Sequence, residues 1–446
     1  MTNKKLSRRD FLKLGGLTAG ASLLTSCKAP FGIGDNRPNF LIILTDDQRY
    51  DTMQYMPKTQ EHIFDQGVTF SNGYVSSPLC GPSRANILSG MHVHKHGVFN
   101  NREELQASTF VEGLKESGYY TGLVGKYLNS WKGEMRPEYD FWASVFRDDP
   151  RYYDSDYNIN GEWHWQKPGY ITDITRDLVL EFIDKASAQF RPFFLLFGLN
   201  APHDPADPAS EDIGKLTDLE PHRPPNYNEE DNTDKPNSIN WKTPIDEKEA
   251  ADNDEFRRKQ LLTLLSADRA IDAIIERLKE KGELDNTVII FLSDNGKHWG
   301  EHRLNSKGSQ YQESILVPFA LRYPPLVPEP YTENRLIASV DIPPTLFELA
   351  GLPIPDQFDG ESVVPMLAGE NWTRDKIYIE CYPSRGHWEL IHTGRYKYVE
   401  TEGDDNISEF YDLEEDPYEL ENQIFNPDYA EIIAELKIAL EEKRNS

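Results

Sequence analysis

The sequence predicts an α/β fold, in which a large, mostly parallel sheet flanked by helices is followed by a smaller C-terminal antiparallel sheet with a helix. Three observations predict it. Short continuous apolar runs, of the length of strands buried on both faces, recur up to about residue 355. Stretches with apolar residues at helical spacing alternate with those runs, the pattern of parallel strands joined by crossover helices. After Gly360 the pattern changes to short amphipathic segments, which suit an antiparallel sheet.

Phe40–Leu44 is the first apolar run. Tyr120–Val124 is a weaker strand, preceded by a helical stretch Thr109–Ser117. Phe193–Phe197 is a third buried strand, preceded by a helix over Ile174–Ala188. Between Asp204 and Asp254 the chain is rich in Pro, Asp, Asn and Glu with little periodicity, and is expected to be a surface loop bordering the active site. The longest helix is expected over Phe256–Lys281, where Leu261, Leu264, Leu265, Ile271, Ile274, Ile275 and Leu278 share a face. Gly282 ends it, and Val288–Leu292 is the next strand. Trp388–Val399 reads as antiparallel sheet, and a helix over Tyr429–Arg444 closes the chain.

At 446 residues the chain can build one large core with a smaller appended domain. No run of eighteen apolar residues occurs, so no membrane-spanning helix is expected. The net charge of −28 argues against nucleic acid as a partner, and any anion site must gather its positive charge locally. The first 27 residues read as an address. Ser7-Arg8-Arg9-Asp10-Phe11-Leu12-Lys13 matches a twin-arginine export signal, Leu14–Leu24 is apolar, and Leu24-Thr25-Ser26-Cys27 resembles a bacterial lipobox. These imply export to the periplasm or cell surface by the twin-arginine machinery, with a lipid anchor on Cys27. The expected organisation is a signal over 1–27, a catalytic domain over 28–355 and a C-terminal subdomain over 356–446. Cys27, Cys80 and Cys381 are the only cysteines, too few for a disulfide framework once Cys27 carries lipid.

In doubly wound sheets ligands bind beyond the carboxyl ends of the strands. Four predicted strands end in chemistry there: Asp46 and Asp47, then Lys126, then His203, then Asp294 and Asn295. Three carboxylates and an amide oxygen form a hard donor set, suited to Ca²⁺ or Mg²⁺. The alternating His92, His94 and His96 lack the other ligands of a closed zinc site and read as substrate-side or structural residues.

Cys80-Gly81-Pro82-Ser83-Arg84, continuing Ala85-Asn86-Ile87-Leu88-Ser89-Gly90, resembles the signature of the formylglycine-dependent sulfatase family, which directs oxidation of the cysteine to formylglycine. Pro82 and Ser83 can open a helix whose positive end lies beside residue 80. Cys381-Tyr382-Pro383-Ser384-Arg385 fits the short signature too, but Gly386-His387-Trp388 follows in place of an apolar helix, and it is read as a coincidence. The resemblance extends through Arg37-Pro38-Asn39, Asp46-Asp47-Gln48, Ala201-Pro202-His203, Ser293-Asp294-Asn295-Gly296, Asp359-Gly360-Glu361-Ser362 and Tyr411–Pro417.

The resemblance implies an alkaline-phosphatase-like sandwich and hydrolysis of a sulfate ester on a sulfated glycan, through a formylglycine hydrate at position 80 and a sulfo-enzyme intermediate. It implies one Ca²⁺ held by Asp46, Asp47, Asp294, Asn295 and modified Cys80, and a formylglycine-generating enzyme as partner. Arg84, Lys126, His203 and Lys307 would surround the sulfate; apart from the resemblance, His298, Trp299, His302 and the Asp204–Asp254 loop read as candidate specificity elements, with His298 and His302 as substrate-binding residues. Gly125-Lys126-Tyr127-Leu128-Asn129 and Gly282–Thr287 resemble the N-acetylglucosamine-6-sulfatase branch, which includes the extracellular heparan 6-sulfatases, and so favour a 6-O-sulfated amino sugar. Two departures stand out: the Trp-His that usually follows the lysine is missing, and Gly81 replaces the second cysteine typical of the animal enzymes. Two other readings remain open. One is a phosphate or phosphonate ester hydrolase on the same fold. The other is a non-catalytic glycan-binding lipoprotein that stacks sugars on Trp163, Trp165, Trp299 or Trp388.

Overall fold

The computed structural model describes residues 35, 37–146, 151–383, 386–403 and 407–446. The twin-arginine stretch, Cys27, and Ser384-Arg385 of the second cysteine motif lie outside the described residues.

The apolar runs become the centre of a ten-stranded sheet. Strands β1 (Asn39–Thr45), β2 (Tyr120–Gly125), β3 (Phe193–Gly198) and β4 (Thr287–Ser293) lie in the order β4-β1-β3-β2, all parallel, and Phe141–Val145 extends the parallel set beyond β2. Phe319–Arg322 pairs antiparallel with β4 and Tyr157–Ile159 antiparallel with Phe141–Val145, so the strands flanking the parallel centre run the other way. The side-chain period of two sends Phe40, Ile42 and Leu44 to one apolar layer and Leu41 and Ile43 to the other. Each face is then closed by helices. Helix α1 (Cys80–Ser89) and the segment Ile342–Leu349 cover one, with Ala85, Ile87, Leu88, Ile342 and Leu346 in its core. On the other face lie α2 (Ile171–Ser187) and α3 (Glu247–Glu280), contributing Val179, Phe182, Leu261, Ile271 and Ile274. Full burial of each such large side chain is worth about 1.5–3 kcal/mol.

Helix α3 begins nine residues before the expected Phe256. Its opening turns are polar and carry no apolar stripe; the Asp246 side chain caps them by accepting from Glu249 N at 2.8 Å. The end of the Asp204–Asp254 stretch is therefore helix rather than loop. Among the described residues no helix is long and apolar enough to cross a membrane.

A four-stranded antiparallel sheet follows, Ile377–Cys381, Trp388–His392, Tyr396–Thr401 and Ser408–Asp412 in simple meander order. Helix α4 (Ala430–Arg444) packs on one face through Leu436 and Leu440, against Tyr378, Ile391, Tyr398 and Phe410. The opposite face, with Ile379, Leu390 and Val399, shares a core with Tyr74, Ile315 and Val340. The fold class expected from the sequence is the one observed.

Candidate active site

The site is built where β1, β2, β3 and β4 end. The turn after β1 solves a geometric problem: in a continuing strand, consecutive side chains point to opposite faces. Asp47 instead adopts φ 67°, in the left-handed region, so that both Asp46 and Asp47 aim at Cys80. The turn is held by Asp46 N donating to Ala201 O at 3.2 Å and Gln48 N donating to Ser293 Oγ at 2.9 Å. Lys126 is delivered by a close pairing of β2 and β3. A Cβ at Gly125, where φ is 98°, would lie 2.0 Å from Gly198 O, so glycine is required there, and Lys126 N donates to Gly198 O at 2.8 Å.

Helix α1 begins at Cys80 and ends at Gly90, which takes the left-handed C-terminal position at φ 71°. Asn101 Oδ1 accepts from Gly81 N at 2.8 Å. A Cβ at position 81 would lie 2.9 Å from that same oxygen, so this cap and a side chain at 81 compete for one space.

Cys80 Sγ lies 3.3 Å from Asp46 Oδ1, 3.3 Å from Asn295 Oδ1, 3.9 Å from Asp47 Oδ1 and 2.7 Å from Lys307 Nζ. Lys126 Nζ bonds Asp46 Oδ2, and Lys307 Nζ bonds Asp47 Oδ1. Arg84 Nε donates to Asp294 Oδ2 at 2.7 Å, with its Nη2 3.5 Å from Asp46. Asn295 Nδ2 donates to Asp47 Oδ1 at 2.7 Å. The sequence expectation thus brings together Asp46, Asp47, Cys80, Arg84, Lys126, Asp294, Asn295 and Lys307.

His203 joins them from the loop after β3. Ligand atoms of Asp46, Asp47, Cys80 and His203 all lie within 4.8 Å of one another. With Asn295 Oδ1 beside them, the donor atoms are mainly hard oxygens converging on one small volume, and a divalent cation fits that donor set. The Lys307 ammonium reaches into that volume, bonding Asp47 Oδ1 and lying 2.7 Å from Cys80 Sγ.

The charges are strongly interlocked. Burial raises the Asp46 carboxyl, but Lys126, His203 and Arg84 more than offset this and hold it far below the ordinary range. Asp47 is held low against its burial by Lys307 and Lys297. Asp294 goes the other way, raised by burial and by the neighbouring Asp46 charge. Burial would lower Lys126 and Lys307, yet Asp46 and Asp47 raise them above the usual lysine value, so both remain cations. Burial, Asp294 and Asp46 push the Cys80 thiol well above its ordinary value. The unmodified cysteine is thus a protonated thiol and a poor nucleophile.

His298 and His302 are held by partners outside the Cys80 cluster. His302 is fully buried, with Nδ1 2.7 Å from Glu229 Oε2 and Nε2 3.2 Å from Asn226, and its ring stacks on Tyr311 at 4.0 Å. Both of its nitrogens are occupied within the protein, leaving none for a substrate. His298 Nε2 bonds Ser309 Oγ at 2.6 Å, and burial pushes this imidazole down to about 4. Neither histidine bonds to any member of the Cys80 cluster, and both belong to the framework behind it. His302 groups instead with Glu313 and Glu419, where Lys397 Nζ bonds Glu419 and Gln310 O, and burial pushes that amine down to about 7.

The other singled-out residues have structural surroundings. His94 Nδ1 is 2.9 Å from Glu380, His92 N donates to Asp359 at 2.8 Å, and His96 lies against Asn86. Trp299 and Trp388 are buried, whereas Trp163 and Trp165 stack on each other with Trp165 exposed. Cys381 ends a strand of the C-terminal sheet inside an apolar cluster, and burial pushes its thiol up to about 12.

Sequence reasoning missed Lys297, which is buried with its Nζ 3.0 Å from Asp204 Oδ2 and 3.4 Å from Asp47 Oδ2. The available signal was its place three residues after Asp294, a cation in the loop where β4 ends.

Comparison with known proteins agrees with this geometry. Residues 38–352 match the sulfatase family, and residues 300–446 match the C-terminal domain of N-sulphoglucosamine sulphohydrolase. The putative extracellular sulfatase Sulf-1 homolog of Caenorhabditis elegans is 33% identical over 75% of this chain and 50% of its own length. Human N-acetylglucosamine-6-sulfatase is 34% identical over 80% of this chain and 70% of its own. The chain therefore spans about half the length of the nematode relative and a larger share of the human one. A solved structure of a protein in complex with its substrate D-glucosamine-2-N,6-O-disulfate superimposes with a TM-score of 0.82 at 26% identity, covering 92% of this chain and 98% of the other. On these matches and the geometry around Cys80, the chain belongs to the sulfatase family.

Proposed function

We propose that this protein hydrolyses sulfate esters of a glycan, with a 6-O-sulfated amino sugar as the favoured substrate. The observation that carries this reading is the surroundings of Cys80. A cysteine at the start of a buried helix, within Cys-Gly-Pro-Ser-Arg, is ringed by Asp46, Asp47 and Asn295 oxygens and the Lys307 ammonium. The amino-sugar preference is supported by the names of the human relative and of the glucosamine disulfate complex.

Asp46, Asp47, Asp294, Asn295 and position 80 would hold one Ca²⁺. Formylglycine at position 80, in hydrated form, would supply the nucleophile toward sulfur, and the cation would supply charge neutralisation. The rest falls to this chain's own side chains. Arg84, Lys126 and Lys307 are held as cations in a dry site, where they can stabilise the sulfuryl oxygens as charge shifts onto them. They also supply locally the positive charge that the chain as a whole lacks. His203 Nδ1 lies 2.8 Å from Asp204 O. A carbonyl only accepts, so Nδ1 carries a hydrogen, and Nε2 has one to give only in the imidazolium form. In that form His203 protonates the departing sugar oxygen.

The reading includes export through the twin-arginine route, a lipid anchor on Cys27, modification of Cys80 by a formylglycine-generating enzyme, and the division into signal, catalytic part (28–355) and C-terminal part (356–446). The test is sulfate release from a panel of sulfated monosaccharides by protein co-expressed with a formylglycine-generating enzyme. Mass spectrometry of the Cys80 peptide runs in parallel. Release from 6-O-sulfated glucosamines by modified protein is expected. Fully modified protein that releases no sulfate from any of them would refute the substrate reading.

A further inference from the structure

Lys297 takes no part in the sulfate contacts or proton transfer assigned above, yet its placement is costly. Burying an ammonium demands compensation by partners. It is 4% exposed, with Nζ 3.0 Å from Asp204 Oδ2 and 3.4 Å from Asp47 Oδ2, and 5.0 Å above the Phe256 ring of α3. Its own backbone is anchored, since Lys297 O accepts from Arg49 Nη1 at 2.9 Å and Arg49 is paired with buried Glu301 at 2.8 Å. The lysine therefore springs from a fixed point and ties two other segments together: the turn after β1 and the loop after β3.

Asp204 is the residue that follows His203, and its backbone carbonyl receives the His203 Nδ1 hydrogen at 2.8 Å. Its side chain is half-exposed, so without Lys297 nothing buried would fix it. The other restraints near His203 act on backbone atoms: Ala201 O accepts from Asp46 N at 3.2 Å and Pro202 O from Gln260 Nε2 at 2.9 Å, while His203 N donates to Asn200 O at 2.9 Å and His203 O accepts from Tyr152 Oη at 2.7 Å. Among the described residues, Lys297 is the charged tether between this loop and the catalytic carboxylates.

We propose that Lys297 is a positioning residue for His203: by clamping Asp204 against Asp47 it sets the imidazole at the height where Nε2 meets the leaving-group oxygen. This inference rests on the sulfatase reading above and extends it to a residue that the family motifs do not single out. Lys297 donates nothing to the sulfate itself. Beyond its share, with Lys307, in holding Asp47 ionised, its contribution falls on steps that need a correctly placed acid, and the leaving group decides how much that matters. An alkoxide leaving from a sugar must be protonated, whereas a nitrophenolate departs without help.

The experiment compares Lys297→Met, Lys297→Arg, Asp204→Asn and the Lys297→Met/Asp204→Asn double variant on glucosamine 6-sulfate and on 4-nitrophenyl sulfate, with Cys80 modification quantified in each. On the sugar sulfate, Lys297→Met should lower kcat by about 10- to 100-fold, at or below the range for a general acid, and leave KM within about 3-fold. On the aryl sulfate the fall should be much smaller. Asp204→Asn should reproduce this selective loss, the double variant should be no worse than the singles because both break one tether, and arginine should restore most of the rate. Asp204 is half-exposed, so Asp204→Asn keeps the test available if Lys297→Met folds poorly. Equal losses on both substrates, additive losses in the double variant, or a wild-type rate on the sugar sulfate would each overturn the proposal. If the modified wild-type protein turns over neither substrate, the sulfatase reading fails and the clamp with it. If the wild type is active while the variants match it, only the clamp fails.

Discussion

Replacing Lys126 by methionine isolates the electrostatics of the site, because methionine keeps most of the side-chain volume and residue 126 lies outside the Cys80–Arg84 motif that directs modification. In the structure the Lys126 ammonium bonds Asp46 Oδ2 with both groups fully buried. Removing one partner of a buried pair costs about 3–5 kcal/mol because the other charge is stranded. Here Arg84 at 3.5 Å and Lys307 at 4.0 Å still face Asp46, so the low end, about 3 kcal/mol, is expected. At about 2.1 cal/mol/K per residue, a chain of 446 residues unfolds with about 0.9 kcal/mol/K of entropy, and Tm should fall by about 3 °C. Calcium should recover part of that loss, since a cation beside Asp46 neutralises the same stranded carboxylate. Turnover should fall about 10²- to 10³-fold, the usual effect of removing one preorganised stabilising group. The assay is thermal unfolding with chelator and with calcium, alongside steady-state sulfate release, with mass spectrometry showing unchanged Cys80 modification. A metal-free Tm equal to wild type together with wild-type turnover would refute the electrostatic account of the site.

Cys80→Ala should abolish sulfate release while Cys381→Ala retains it, since Cys381 sits in an apolar cluster and, among the described residues, belongs to no grouped ligand set; loss of activity in Cys381→Ala alone, with normal folding, would contradict the assignment. Calcium at about 100 times its Kd should stabilise the wild type by about 2.7 kcal/mol, again a Tm rise of about 3 °C, and Asp47→Asn should weaken that response in a calcium titration. His302→Ala should cost about 1–3 kcal/mol in urea unfolding by stranding Glu229, with KM unchanged because the ring has no free nitrogen to offer a substrate. His392 provides a pH test remote from the site. Burial holds its folded-state value down to about 3, and its Nδ1 accepts from Gly394 N at 2.8 Å. Between pH 6.5 and about 3 the unfolded chain holds the extra proton, so stability drops by about 1.4 kcal/mol per pH unit as pH falls through that window. His392→Phe should remove that part of the slope between pH 6.5 and 5 in urea unfolding.

Most of the sheet was legible because its strands are buried on both faces. Phe40–Leu44, Phe193–Phe197 and Val288–Leu292 are continuous apolar runs, and that signal is local. The opening turns of α3 were not legible, because exposed polar residues carry no periodicity and the cap at Asp246 looks like loop composition. Of the site, the strand-end rule, the Cys80 motif and the family resemblance pointed to Asp46, Asp47, Arg84, Lys126, Asp294, Asn295 and Lys307, which the structure groups around the cysteine, but not to Lys297. For His298 and His302, sequence position beside Asn295 does not say which way a ring points, and the structure turns them toward Ser309 and toward Glu229 and Asn226.

What the sequence by itself determined was the set of groups and the layers that carry them: the order of strands and helices, the Cys80 helix, and the residue types at each strand end. Only the tertiary structure decided which of them meet. Asp47 faces Cys80 because its backbone turns left-handed against Ala201 and Ser293, contacts made across more than 150 residues of chain. Lys297 reaches Asp204 for the same kind of reason, a long-range pairing of two loops. Patterning records what a residue prefers to be near, water or core. It does not record a partner, and in a buried cluster of alternating charges the partner decides the chemistry.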